Sequence, residues 1–132
     1  MAIQISGTQV VSNAGDLTNI RNIESVSGWT SQEIDSLSGT SVTPNFDAGN
    51  NFSLTLSGTT TINNPSNITA GQSGVIVITQ ASGGYAVSWG SYWDFVDGTA
   101  PTIPTTNGSV SIITWFARST TSLLTTSALG LS

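Results

Sequence analysis

Several kinds of residue on which enzymes and metal sites depend are missing from this 132-residue chain. It contains no cysteine, no histidine and no lysine, and Arg21 and Arg118 are its only cations. Without Cys or His there is no Ser-His-Asp or Cys-His nucleophile, no thiolate or imidazole zinc site and no disulfide. We therefore expect a protein that is not an enzyme, that needs no cofactor and whose fold depends on packing.

Charge is scarce as well. Charged residues make up 7% of the chain, against about 25% in a typical soluble domain, and the formal net charge is -5. Two arginines cannot neutralise a phosphate backbone or form a polybasic membrane patch, so neither nucleic acid nor membrane is an expected partner. No apolar run reaches 18 residues, and the first residues lack the pattern of a signal peptide.

What is abundant is serine and threonine, in a chain whose mean hydropathy is slightly positive at +0.12. That balance does not fit disorder, which combines low hydrophobicity with high net charge. It favours a β-rich domain with hydroxyl side chains on its outward faces. A surface with so few charges resists association weakly. We therefore expect much of it to be covered by copies of the chain or by a larger assembly.

A cluster of turn residues at positions 44–51 divides the sequence into an N-terminal arm, 1–49, and a β domain, 50–132. In the arm, Ser6, Gly7 and Thr8 predict a small hairpin or bend. Thr30 and Glu33 have the spacing of a capping box, which predicts a short helix over 31–38.

The apolar residues of the arm are too few to form a core, so the arm is expected to order against neighbouring molecules. The candidate docking residues are Ile3, Ile5, Val10, Leu17, Ile20, Ile23, Trp29, Ile34 and Leu37.

The remainder predicts strands. Phe52, Leu54 and Leu56 alternate with polar residues, as in a half-buried strand, and 75–80 is apolar enough to be buried on both faces. Residues 81–84 predict a hairpin turn. Roughly seven such strands predict an all-β, antiparallel β-sandwich or jelly-roll-like domain, preceded by the arm and its helix.

Two clusters are candidates for a site. Asp94 and Asp97 could contribute to a calcium site or a glycosidase pair, or could hydrogen-bond within their own turn, which the spacing favours. Arg118 is expected to pair with one of these carboxylates. Tyr92 and Trp93 lie in an aromatic stretch and are candidate glycan contacts, although core or interface packing also explains such residues.

Particular landmarks carry a resemblance to a known family. They are 71–80 (GQSGVIVITQ), 83–90 (GGYAVSWG), Phe95, 98–101 (GTAP) and 110–116 (VSIITWF). This pattern resembles a β domain that recurs in bacteriophage virion proteins, including tail fibres, head fibres and head decoration proteins. Residues 3–20 are similar to N-terminal segments of structural proteins from cyanophages and other tailed phages.

The resemblance implies a non-enzymatic, homotrimeric protein on the outside of a virion. We expect a head decoration, or cement, protein whose partners are the major capsid protein, other virion proteins and itself. The alternative is a short tail or head fibre that binds a host-surface glycan.

Overall fold

The computed structural model of the chain describes residues 4–5, 8–9 and 32–132. The chain divides into two compact units, Met1–Ser31 and Gln32–Ser132. In the first unit, β1 (Gln4–Ile5) pairs antiparallel with β2 (Thr8–Gln9), which confirms the hairpin predicted around Ser6 and Gly7.

The second unit is built almost entirely of strands, which confirms the all-β class. In chain order the strands are β3 (Ile34–Leu37), β4 (Ser41–Val42), β5 (Asn51–Leu56), β6 (Thr60–Ile62), β7 (Ser73–Gln80), β8 (Val87–Trp89), β9 (Trp93–Phe95), β10 (Val110–Ser119) and β11 (Ser122–Leu131). Within residues 32–132 the one helical element is a short 3-10 turn, Val96–Gly98.

The strands form two sheets. One has six strands in the order β3-β5-β7-β10-β11-β9, and the other has three in the order β4-β6-β8. Strands β7, β10 and β11 are antiparallel neighbours, while β9 runs parallel to β11 at the far edge.

Three strand pairs, β3–β4, β5–β6 and β7–β8, alternate between the two sheets, and we call each pair a rung. Corresponding strands of successive rungs are parallel and in register. Leu37, Leu54 and Ile78 therefore form one row across the large sheet. Hydroxyl groups bridge the rungs as well, for example between Thr61 and Ser88, whose oxygens lie 2.9 Å apart. The rungs thus stack through backbone and side chains together.

The core consists of side chains that point inward from both sheets and from the loops. Its buried members are Val42, Phe46, Phe52, Leu54, Leu56, Ile62, Ile76, Ile78, Trp93, Ile103, Ile113, Trp115, Ala117 and Leu123. Phe46 lies in the loop after β4 and stacks on Trp115, with ring centroids 4.1 Å apart. A loop residue therefore closes one end of the core.

The predicted helix over 31–38 is wrong. Residues Ile34–Leu37 form β3, which pairs in register with Asn51–Leu54 of β5. A helix of two turns is marginal by itself. Pairing with β5 supplies backbone hydrogen bonds and places Leu37 against the core, so tertiary structure overrides the capping box.

The purely antiparallel arrangement is also wrong, because β3, β5 and β7 are parallel, as are β4, β6 and β8. Residues 81–84 do not form a hairpin turn. Strands β7 and β8 on either side belong to different sheets, and Gly83 and Gly84 have φ of 94° and 70°. The chain uses these left-handed conformations to cross from one sheet to the other.

The second unit begins at Gln32, whereas the turn residues predicted a boundary after position 49. Two strand pairings account for this difference: β3 adds to the large sheet beside β5, and β4 adds to the small sheet beside β6.

Candidate functional site

Most of the candidate docking residues lie outside the described part of the chain. These are Ile3, Val10, Leu17, Ile20, Ile23 and Trp29, and of Ile5 only its strand position is described. The two that are described diverge. Ile34 points outward from β3 and is 56% exposed, while Leu37 packs against the core. The predicted helix placed these two residues on one face, whereas in β3 they point to opposite sides of the strand.

Trp93 is not available for a glycan, because it is 5% exposed and belongs to the core. Its indole Nε1 donates to the carbonyl of Asn63 at 3.1 Å, and its ring makes an edge contact with Trp89. Tyr92 is half-buried, and its backbone N–H donates to Asn64 Oδ1 at 2.9 Å. The two residues are therefore held as structural parts of the sheet edge.

Asp94 does not hydrogen-bond within its own turn, as the sequence favoured. Its carboxylate accepts a hydrogen bond from the hydroxyl of Ser122, which lies 28 residues away on β11. Asp97 has φ of 54° in the turn after β9. Among the described residues no group of three or more acidic, His or Cys side chains is arranged to hold a metal ion. Within 32–132 no carboxylate oxygen lies within 4.0 Å of the Arg118 guanidinium, so its expected pairing with Asp94 or Asp97 is not made.

The most extensive functional candidate is the side of the six-stranded sheet that faces away from the core, here called the outer face. It is formed by alternate residues of successive strands. They are Ile34, Ser36, Asn51, Ser53, Thr55, Ser73, Val75, Val77, Thr79, Val110, Ile112, Thr114, Phe116, Arg118, Leu124, Thr126, Ala128 and, on β9, Asp94.

Near β9 this face has two exposed apolar side chains, with hydroxyl groups beside them. Phe116 and Leu124 are directly opposed in the β10–β11 register, and each is 46% exposed. Beside them, the hydroxyl groups of Thr114 and Thr126 hydrogen-bond to each other. Exposed apolar side chains gathered on one surface, unlike scattered ones, mark an interaction site.

A groove crosses the outer face next to β9. It has a volume of about 590 Å³ and is lined mainly by apolar and hydroxyl side chains, among them Val96, Phe116, Leu124 and Thr126, together with the carboxylate of Asp94. Val96 is 67% exposed at its rim. The face therefore offers both projections and a recess to a partner.

Two charged side chains lie on the outer face. Asp94 on β9 is directly opposite Leu124, and Arg118 is on the same side of β10 as Phe116. Glu33 precedes β3 at the border of the face. Because charged groups are costly to bury unpaired, contact through this face requires the desolvation of few charged groups.

No protein-family model, curated protein or solved structure matches the chain. Among the described residues no helix is long and apolar enough to cross a bilayer.

Sequence reasoning missed the outer face for an identifiable reason. It identified β7 correctly as a strand but assumed that an apolar run is covered on both sides. In the structure Ile76 and Ile78 are buried, whereas Val75 and Val77 on the other side are only half-buried. The signal was present, because an apolar residue at every position requires a second cover that this chain does not supply from residues 32–132.

Proposed function

We propose that this chain is a non-enzymatic structural protein of a tailed-bacteriophage virion, and that it decorates the outside of the head as a cement protein. The observation that supports an assembly role is the outer face, which has few charged residues and on which Phe116 and Leu124 are each 46% exposed side by side. A surface depleted of charge with exposed apolar side chains is typical of surfaces that become buried between proteins. The resemblance of the sequence to virion proteins supports the particular assembly.

In this proposal the two parts of the chain have different tasks. Residues 1–31 of the N-terminal arm bind the major capsid lattice and bridge its subunits, and the two sheets of the β domain form a sandwich that projects from it. The copies associate as homotrimers. Each copy adds binding free energy across a joint between capsomers, so many weak contacts together raise the resistance of the head to rupture.

The test removes the gene from the phage genome that carries it. Heads that lack the protein should release DNA at a lower temperature than native heads do. They should also rupture at low salt concentrations that native heads withstand. Added purified protein should restore both limits. Native particles should contain hundreds of copies, as counted by quantitative mass spectrometry. Heads of unchanged stability, or particles without the chain, would overturn the proposal.

The alternative is a short tail or head fibre that contacts host glycan. Of the two predicted glycan contacts, Tyr92 is the one that could still serve, because Trp93 is buried. It requires only a few to a dozen copies per particle. It also predicts that deletion reduces adsorption to the host while head stability is unchanged, so the same mutant phage separates the two functions.

A further inference from the structure

We propose that the outer face is covered by a second copy of this chain. The inference rests on the proposed function only in treating this face as an assembly surface. It names the occupant, which the proposed function leaves open. The argument uses the charge, the hydrogen-bonding groups and the dimensions of the face.

Charge favours a like partner. The chain has a net charge of -5, and two acidic surfaces ordinarily repel each other. The outer face carries one carboxylate, Asp94 on β9, and one cation, Arg118 on β10, so its own charges balance and two copies can bring these faces together without net repulsion between the faces. A partner with a patch of one charge sign would instead have to bury most of those charges against Phe116 and Leu124 without partners.

The polar groups of the face are self-complementary. They are mainly hydroxyls, such as the Ser36–Ser53 pair, with oxygens 3.3 Å apart, and the Thr114–Thr126 pair. A hydroxyl donates one hydrogen bond and accepts others. Two identical surfaces of hydroxyl groups can therefore form hydrogen bonds with each other. Two surfaces of carboxylates cannot, because they have acceptors and no donors.

The size of the face is sufficient. Six strands at a spacing of about 4.8 Å span roughly 24 Å, and the eight residues of β7 extend about 26 Å. The product, roughly 600 Å² in projection, is of the order of the 800 Å² that each partner buries in a stable complex. Two sheets can pack face to face at about 10 Å, a distance that Phe116 and Leu124 would fill.

The first experiment measures the mass of the purified full-length chain by light scattering and sedimentation velocity over roughly 1–200 µM, spanning typical affinities of protein complexes. A face that packs on its own copy joins chains in pairs, so the expected mass is twice 13.6 kDa, or a larger even multiple if the proposed trimers also form through another surface. Phe116→Asp and Leu124→Asp should each weaken association at least tenfold. Thr102→Asp, which adds the same charge to an exposed loop, should leave it unchanged. Circular dichroism verifies that each variant is folded.

The second experiment uses the absence of native cysteine. Ala128→Cys places a single thiol on the outer face, and Thr102→Cys places one on the loop. A short bis-maleimide should link two copies through position 128 and not through position 102. This experiment uses only the purified chain and no virion component. Its outcome is therefore independent of the phage experiment, and either of the two can fail while the other succeeds.

Three results would overturn the inference. One is a chain that stays monomeric at the highest concentration. Another is an oligomer that Phe116→Asp and Thr102→Asp affect equally. The third is a monomer in which the thiol at position 128 resists maleimide, because the face is then covered by residues 1–31 of the same chain.

Discussion

The side chain of Gln80 holds both backbone polar groups of Tyr85. Its Nε2 donates to the Tyr85 carbonyl at 2.6 Å, and its Oε1 accepts from the Tyr85 N–H at 3.3 Å. Gln80 is 1% exposed at the end of β7. The amide thus takes the place of a strand partner at the point where the chain leaves the large sheet for the small one.

We expect Gln80→Leu to lower the free energy of unfolding by about 1–3 kcal/mol, because leucine leaves the Tyr85 N–H and carbonyl without these partners. Urea titration at a fixed protein concentration measures the change. Gln32→Leu is the control, since Gln32 is exposed, and it should change stability by less than about 0.5 kcal/mol. Equal effects of the two substitutions would contradict the role given to Gln80.

Gly74→Ala tests the close approach of β7 to the chain before β5. A Cβ at position 74 would lie 1.8 Å from the carbonyl oxygen of Asn50 and 2.9 Å from the Trp115 ring. The backbone has to shift, and we expect a loss of roughly 2–4 kcal/mol. Gly49→Ala meets no atom within 4 Å and should be neutral to about 0.5 kcal/mol. A neutral Gly74→Ala would show that the rungs are more widely spaced than described.

The stacked row tests the parallel arrangement of the rungs. Leu54 lies between Leu37 and Ile78 and is 1% exposed. Leu54→Ala should lower stability by about 2–5 kcal/mol through lost burial and a cavity. Leu37→Ala removes the same atoms at the edge of the row, where we expect about 1 kcal/mol. Leu54→Ala should therefore have the lower unfolding midpoint of the two variants. The reverse order would be inconsistent with β5 lying between β3 and β7.

Trp93→Phe should destabilise the protein by about 1–3 kcal/mol, because it removes the indole donor to the Asn63 carbonyl together with part of the buried ring. Tyr92→Phe should stay within about 0.5 kcal/mol.

Sequence patterns predicted the strands better than their partners. The alternation of Phe52, Leu54 and Leu56 gave β5 correctly, because a half-buried strand has a period of two residues. The rungs were missed because they do not recur at a fixed period. A local clue was present, since Leu-Ser-Gly-Thr occurs at 37–40 and again at 56–59, at the corner between the two strands of a rung.

Aromatic residues were the least predictable part of the candidate site. Trp93 and Phe116 are similar in hydrophobicity and both lie near polar neighbours, yet one is 5% and the other 46% exposed. The difference arises from which side of its strand each residue occupies, and that depends on sheet order. Spacing along the chain cannot supply the order when strands cross between two sheets.

The direction in which the rungs stack has a consequence for synthesis. Strands β3 and β5 leave the ribosome first, but β5 pairs with β7, which comes later, and β7 pairs in turn with β10. The hairpin β10–β11 has the shortest connection in the large sheet, so it can form quickest. We therefore expect folding to begin at the β10–β11 hairpin and to proceed through β7 and β5 to β3, opposite to the order in which these strands are synthesised.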